Sequence, residues 1–185
     1  MQVALLHAVD FQAQDESGMD RIAGLLRFVH GINRGTPEPL LGIDFPDWVL
    51  GRPETSVNAL SRVRVLSENS VLQMFLAHPG VRRAAATGLA RSAIVACPVV
   101  EAWASVTRDN RADKAKPSYR RRAAARNEGR ELKVVRQAAL SIPFASQATR
   151  QDFELRVKKS SLLQVPTEVH FNAYGLCKLG GLPQY

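Results

Sequence analysis

The hydrophobic period of this chain switches from two residues to 3.6 before Gly35, and that switch confines it to folds that mix strands with helices. Val3, Leu5, His7 and Val9 alternate as one face of a strand does, and Met19, Ile22, Leu25, Leu26, Val29 and Ile32 then recur at helical spacing. Alternation returns in Leu41, Ile43 and Phe45 before Pro46. It returns again in Val63 and Val65, interleaved with Arg62 and Arg64, ahead of an expected helix from about Ser67 to His78. Ala93-Ile94-Val95-Ala96 adds a fourth apolar run. The order βαββαβ predicts an α+β protein whose residues 1–98 form a ferredoxin-like, RRM-type domain.

After Pro98 the pattern is less regular, and residues 99–185 read as a smaller C-terminal region with an arginine-rich helix at about 117–127 and short antiparallel strands. Residues 108–136 hold eleven Lys or Arg and four Asp or Glu, a local balance of +7 in a chain whose net charge is +8. A basic run can be a solvated face or a flexible tail, but one organised at helical spacing is a footprint for a polyanion. Pro117 suits a first helical position, which puts Tyr119, Arg122, Ala123 and Arg126 on one face, beside Arg120 and Arg121. Asn127-Glu128-Gly129 ends that helix, and a second amphipathic stretch with Leu132, Val135, Ala139 and Leu140 runs up to Pro143. Beyond it Phe153, Leu155 and Val157 alternate with Glu154, Arg156 and Lys158, as in a strand with one apolar and one charged face.

A hydrophobic content of 45% over 185 residues suffices for a packed core. No apolar run approaches the roughly 18 to 20 residues that cross a bilayer, and the start MQVALLHAV lacks the charged region and cleavage site of a signal peptide. The expectation is a cytoplasmic protein with no membrane partner. Cys97 and Cys177 stand apart without CxxC spacing, which favours two reduced thiols and no structural metal. The DxDxDG, HExxH and phosphate-loop patterns are absent too, so any catalysis is expected from ordinary side chains without a cofactor.

His30 lies beside the apolar stripe of the first helix, where a lone histidine serves packing as readily as catalysis. The run Phe171 to Tyr185 holds glycines that permit close backbone approach and positive φ. Four pieces in order, GIDFPDW, the arginine helix, SQATRQDF and YGLCKLGG, with a histidine near the end of the first helix, resemble the repeat-processing endoribonuclease of type I-F CRISPR systems, the Csy-type crRNA endonuclease family. The resemblance implies a metal-independent endoribonuclease that cuts a CRISPR repeat stem-loop. It also implies that the protein stays on the mature crRNA, with other subunits of a surveillance complex as partners.

Position by position, His30, Ser146 and Tyr174 match the family's catalytic residues. Arg108 and Asn110 fall where the family reads a base pair low in the stem. Arg122 and Arg126, with Arg120 and Arg121 beside them, fall on its groove-binding arginines, and Phe153 matches an aromatic that stacks on the end of the stem. Asn110 stands in place of a Gln, Ala125 in place of a further arginine, and Cys177 in place of the signature's Ser. Phe153 also opens an alternating apolar strand, so a core role stays open beside stacking. The chemistry suits these residues, because RNA carries its own nucleophile in the 2′-hydroxyl and needs only alignment, proton transfer and charge stabilisation. Histidine, with an ordinary pKa near about 6.5, can take the 2′ proton or deliver one to the 5′ oxygen. A hydroxyl such as that of Ser146 can pin the 2′-oxygen, and Tyr174 can orient the imidazole or contact the phosphate. A structured-RNA-binding protein without catalysis, either a degenerate relative or a ribosome-associated protein, is the alternative.

Overall fold

The computed structural model describes residues 1–2, 6–15, 17–49, 52, 60–98, 100–109, 140–145 and 152–185. The expected arginine helix, Asn110 and Ser146 lie outside the described residues. The chain begins with β1 (His7–Ala13), α1 (Ser17–Arg34), β2 (Gly42–Asp44), β3 (Arg62–Ser67), α2 (Asn69–Ala77), α3 (Pro79–Ala86), β4 (Leu89–Arg91) and β5 (Val95–Ala96). It continues through β6 (Trp103–Arg108), β7 (Leu140–Ala145), β8 (Asp152–Leu162), β9 (His170–Phe171), β10 (Cys177–Leu179) and β11 (Leu182–Pro183). The protein is therefore α+β, with antiparallel sheets. None of the described helices is long and apolar enough to cross a membrane.

In the first sheet the strand order is β2-β3-β1-β4, every pairing antiparallel, with β5 also paired to β1. Ile22, Leu25, Leu26 and Val29, the residues whose spacing predicts α1, are all buried against Val9 and Phe11 of β1. The second expected helix ends one residue early, and a third follows it. Pro79 opens α3 at its first turn, and the residue before a proline is pushed out of the helical region, so His78 adopts an extended ψ of 128°. Its imidazole Nδ1 then accepts from Gly80 N at 3.2 Å. The fourth apolar run, Ala93 to Ala96, forms only the short β5, and a further strand, β4, precedes it on the same neighbour β1.

A second sheet has the order β11-β6-β8-β7. Leu155 and Val157 of β8 are buried while Glu154 and Arg156 are exposed, as their alternation requires. Leu140, which closes the amphipathic stretch expected up to Pro143, belongs to a strand instead: β7 pairs with β8 from Leu140↔Val157 to Ala145↔Asp152. Ile142 and Phe144 point from it into the same core as α1. Cross-strand pairing supplies backbone partners that a helical reading of Leu140 alone does not reveal.

The first sheet is covered on both faces. Val9, Val63 and Val65 face the helices, whereas Leu6, Ala8 and Leu66 face a separate cluster with Val169, Phe171, Cys177 and Leu182. The Phe171 ring lies so close over Gly42 that a Cβ there would run into it. Burial pushes the Cys177 thiol up to about 11, so it behaves as a small apolar residue. The last residue is held by Arg64, whose guanidinium carbon sits 4.0 Å from the centre of the Tyr185 ring and whose Nε donates to Asp10 at 2.7 Å.

Among the described residues, an ionic contact joins the two sheets. Asp44, at the end of β2, and Lys159, on β8, have side chains only 1% exposed, with Nζ 3.0 Å from Oδ1. The approach lies outside hydrogen-bond geometry, so the contact is coulombic. Lys159 Nζ donates instead to the Phe45 carbonyl at 3.0 Å, and Gln184 Nε2 donates to the other Asp44 oxygen at 3.2 Å. Removing one partner of such a pair leaves the other charge buried without compensation. Lys159→Met is expected to lower stability by about 3 to 5 kcal/mol in urea denaturation, with part of that loss recovered when Asp44→Leu is added.

Candidate active site

His30 lies next to buried Val29 on α1 and is itself half-buried. Its Nδ1 is 3.0 Å from the Ala173 carbonyl oxygen. A carbonyl only accepts, so Nδ1 carries the proton and Nε2 is left to exchange one with a substrate. The Tyr174 ring stacks flat on the imidazole, with centroids 4.3 Å apart and planes within 5°. Phe144 of β7 meets both rings edge-on, at 6.2 Å and 89° to His30 and at 5.6 Å and 88° to Tyr174. Phe153 of β8 stacks in turn on Phe144 at 5.7 Å. These contacts suit aromatic quadrupoles and hold the imidazole plane from two directions.

The contacts from residues 173 and 174 come from one tight turn. Asn172 Oδ1 accepts from Tyr174 N at 2.8 Å and from Leu176 N at 3.2 Å, the Asx-turn use of an asparagine. Gly175 N donates to Asn172 O, and Asn172 N to Leu176 O, both at 2.9 Å. Gly175 has φ of +76°, in the left-handed region, and a Cβ there would lie 3.1 Å from Ile43 Cγ2 and 3.2 Å from Val29 Cγ1. The glycine thus lets the turn wedge between α1 and β2, where its carbonyl accepts from Ile43 N at 2.9 Å.

Asn33, 1% exposed and three residues beyond His30, ties the far end of that arrangement. Its Nδ2 donates to Leu41 O at 2.8 Å, and its Oδ1 accepts from Leu40 N and Leu41 N at 3.0 and 2.9 Å. The circuit is closed: α1 holds the strand entry through Asn33, β2 holds the turn through Gly175, and the turn returns to α1 at His30.

Of the residues expected from the sequence, the structure brings His30 and Tyr174 into contact and places Phe153 one ring away. Phe153 packs partly on the core while stacking on Phe144, so it belongs to the site's wall and to the core at once. Arg108 is exposed at the end of β6 opposite Val157, roughly 13 Å along β8 from Phe153. Ser146, Asn110, Arg120, Arg121, Arg122 and Arg126 lie outside the described residues. Sequence reasoning missed Phe144 and Asn172. Phe144 is indistinguishable from an ordinary core residue in its alternation, but an asparagine three residues before a glycine is a recognisable turn signal.

Residues 23–185 match the family model described as CRISPR-associated protein (Cas_Csy4). The chain belongs to that family. No curated protein matches it. The matched span includes His30, Asn33, Phe144 and the whole 172–176 turn. The Cas_Csy4 family is one of CRISPR repeat-processing endoribonucleases, which makes RNA binding and crRNA processing the context for this cluster. In this Cas_Csy4 protein Gly175→Ala is expected to cost about 1 to 2 kcal/mol from backbone strain alone and to shift Tyr174 off the imidazole. Urea denaturation and the ring-current shifts of the His30 protons check both; an unchanged midpoint with unchanged shifts contradicts the wedge.

Proposed function

We propose that the protein is a metal-independent endoribonuclease that binds the stem-loop of a CRISPR repeat transcript and cuts at the 3′ base of the stem. The observation that carries this reading is the imidazole of His30, oriented by a carbonyl on Nδ1 and by the Tyr174 ring on its face. A histidine that merely fills space needs neither. In the reaction the 2′-oxygen attacks the adjacent phosphorus in line, its proton is removed, and the 5′ oxygen leaves with a proton. The products are a 2′,3′-cyclic phosphate and a 5′-hydroxyl. His30 Nε2 takes the first proton when the ring is neutral or gives the second when it is charged; the fixed Nδ1–H makes Nε2 the working atom in either role. Ser146 pins the 2′-oxygen. In sequence it stands two residues beyond Phe144, whose ring meets His30 edge-on.

The strand order β2-β3-β1-β4 and the run of elements through β5 support a ferredoxin-like domain of residues 1–98, followed by a C-terminal region of residues 99–185. In that region the arginine helix at about 117–127 supplies the main RNA contact. Arg122 and Arg126 enter the groove where the base of a hairpin opens it, with Arg120 and Arg121 on phosphates. Arg108 and Asn110 read a base pair near the cut, and Phe153 stacks on the end of the stem. These contacts are to the stem, which lies on the 5′ side of the cut and is unchanged by it. The protein therefore stays on its crRNA and joins a cytoplasmic surveillance complex as one subunit.

Deoxyribose 5′ of the scissile phosphate removes the nucleophile and little else. The deoxy hairpin is expected to bind as tightly as the all-RNA hairpin and remain uncut. His30→Ala is expected to abolish cleavage while leaving affinity within a few fold, and excess EDTA to leave the parent rate unchanged. Cleavage of the deoxy hairpin at a comparable rate, or a rate restored only by added Mg²⁺, contradicts the mechanism.

Arg122→Ala and Arg126→Ala are expected to weaken binding to every comparable stem and to lower the salt slope by roughly one counterion or less each. Arg108→Ala is expected instead to relax preference at one base pair by roughly 1 to 3 kcal/mol. Binding titrations across a salt series with base-pair variants separate the two classes, and an unchanged slope for the helix pair removes the arginine footprint.

A further inference from the structure

We propose that Asn172 is a positioning residue for His30, acting through the Ala173–Tyr174 peptide; the proposal rests on the reading of His30 as the proton carrier. The argument turns on the planarity of one amide. The carbonyl that accepts from His30 Nδ1 is that of Ala173, and the N–H that donates to Asn172 Oδ1 is that of Tyr174. Both belong to the same peptide unit, whose C=O and N–H point in opposite directions from a rigid plane. Asn172 holds one end of the plane at 2.8 Å, and His30 takes the other at 3.0 Å. A rotation of that plane breaks both bonds together, removes the acceptor that favours the Nδ1–H tautomer and carries the Tyr174 ring, attached at the next Cα, off the imidazole.

The turn has no equivalent substitute for this oxygen. Asn172 Oδ1 also accepts from Leu176 N, and Leu176 is fully buried, so water does not readily replace the lost acceptor. The remaining bonds of the turn, Ile43 N to Gly175 O, Gly175 N to Asn172 O and Asn172 N to Leu176 O, do not involve the 173–174 amide. They keep the segment seated on β2 while that amide is free to turn. The consequence of losing Asn172 is local and falls on the orientation of His30. An aspartate keeps the same acceptor and so preserves the arrangement.

The test uses the full chain with a repeat hairpin and reads two things: single-turnover cleavage, and the His30 imidazole by ¹⁵N-detected NMR without RNA. Asn172→Ala is expected to lower the cleavage rate roughly 100-fold, the scale of a small misplacement of a reacting group, with hairpin affinity within about twofold. Its His30 signal is expected to lose the Nδ1–H tautomer. Asn172→Asp is expected to keep the tautomer and a rate within about threefold of the parent. Parental rate and tautomer in Asn172→Ala overturn the proposal. If Asn172→Ala does not fold, Asn172→Asp decides: a folded Asp variant that has lost the Nδ1–H signature overturns it, and one that retains signature and rate supports it. Full activity in His30→Ala sinks the catalytic reading instead, and the tautomer measurement still decides what Asn172 does.

Discussion

Two sheets of this protein are registered against each other by a buried charge pair, Lys159 with Asp44. Coulombic attraction between buried groups is strong only because the surroundings are poorly polarisable, and the same surroundings make each charge costly on its own. The protein offsets that cost with neutral partners, the Phe45 carbonyl for the lysine and the Gln184 amide for the aspartate. Apolar residues of similar size would pack there without fixing a direction. The ion pair instead places the end of β2 opposite one position of β8, and Ile43, the neighbour of Asp44, is the residue that donates to Gly175. The orientation of a ring on α1 thus depends on an electrostatic contact made between two strands.

The segment that carries the site turn is fastened on both sides. Before the turn, Val169 N donates to Met1 O at 3.0 Å, and Phe171 is clamped over Gly42. After it, Leu182 pairs with Ala104, and Tyr185 lies against Arg64. Burial pushes the Asp10 carboxyl up, but hydrogen bonds and charge from Arg64 and Arg62 outweigh that effect and hold it below the usual carboxylate range. A turn strung between such anchors has little freedom to drift, which is the condition for orienting a histidine with a backbone carbonyl.

The elements whose faces are set by burial were legible in the sequence. The spacing of Ile22, Leu25, Leu26 and Val29 points to the buried face of α1, and the alternation of Leu155 and Val157 to that of β8, because burying one face leaves a period in the chain. The break at Pro79 was not anticipated, although a proline fixes its own φ and restricts its neighbour wherever it stands. Leu140 was read with a helical stretch because four apolar positions cannot report the distant strand that pairs with them. At the site, His30 and Tyr174 were singled out through their resemblance to a family, since nothing local in either marks a contact across more than 140 residues. Asn172 could have been found from turn chemistry alone. The buried partnership of Asp44 and Lys159 could not, because Asp44 falls on the polar beat of the Leu41, Ile43, Phe45 alternation and Lys159 lies between Lys158 and Ser160, so neither shows any sign of being enclosed.

A four-stranded sheet of this order commonly offers its open face as a platform on which bases stack. Here that face is roofed by Val169, Phe171, Cys177 and Leu182, the same segment that brings the turn to His30. The covering exchanges one kind of recognition for another. A sheet that cannot stack bases across its middle cannot spread a single strand along its length. The segment that brings the turn to His30 therefore also closes the surface through which a sheet of this kind would otherwise read a sequence.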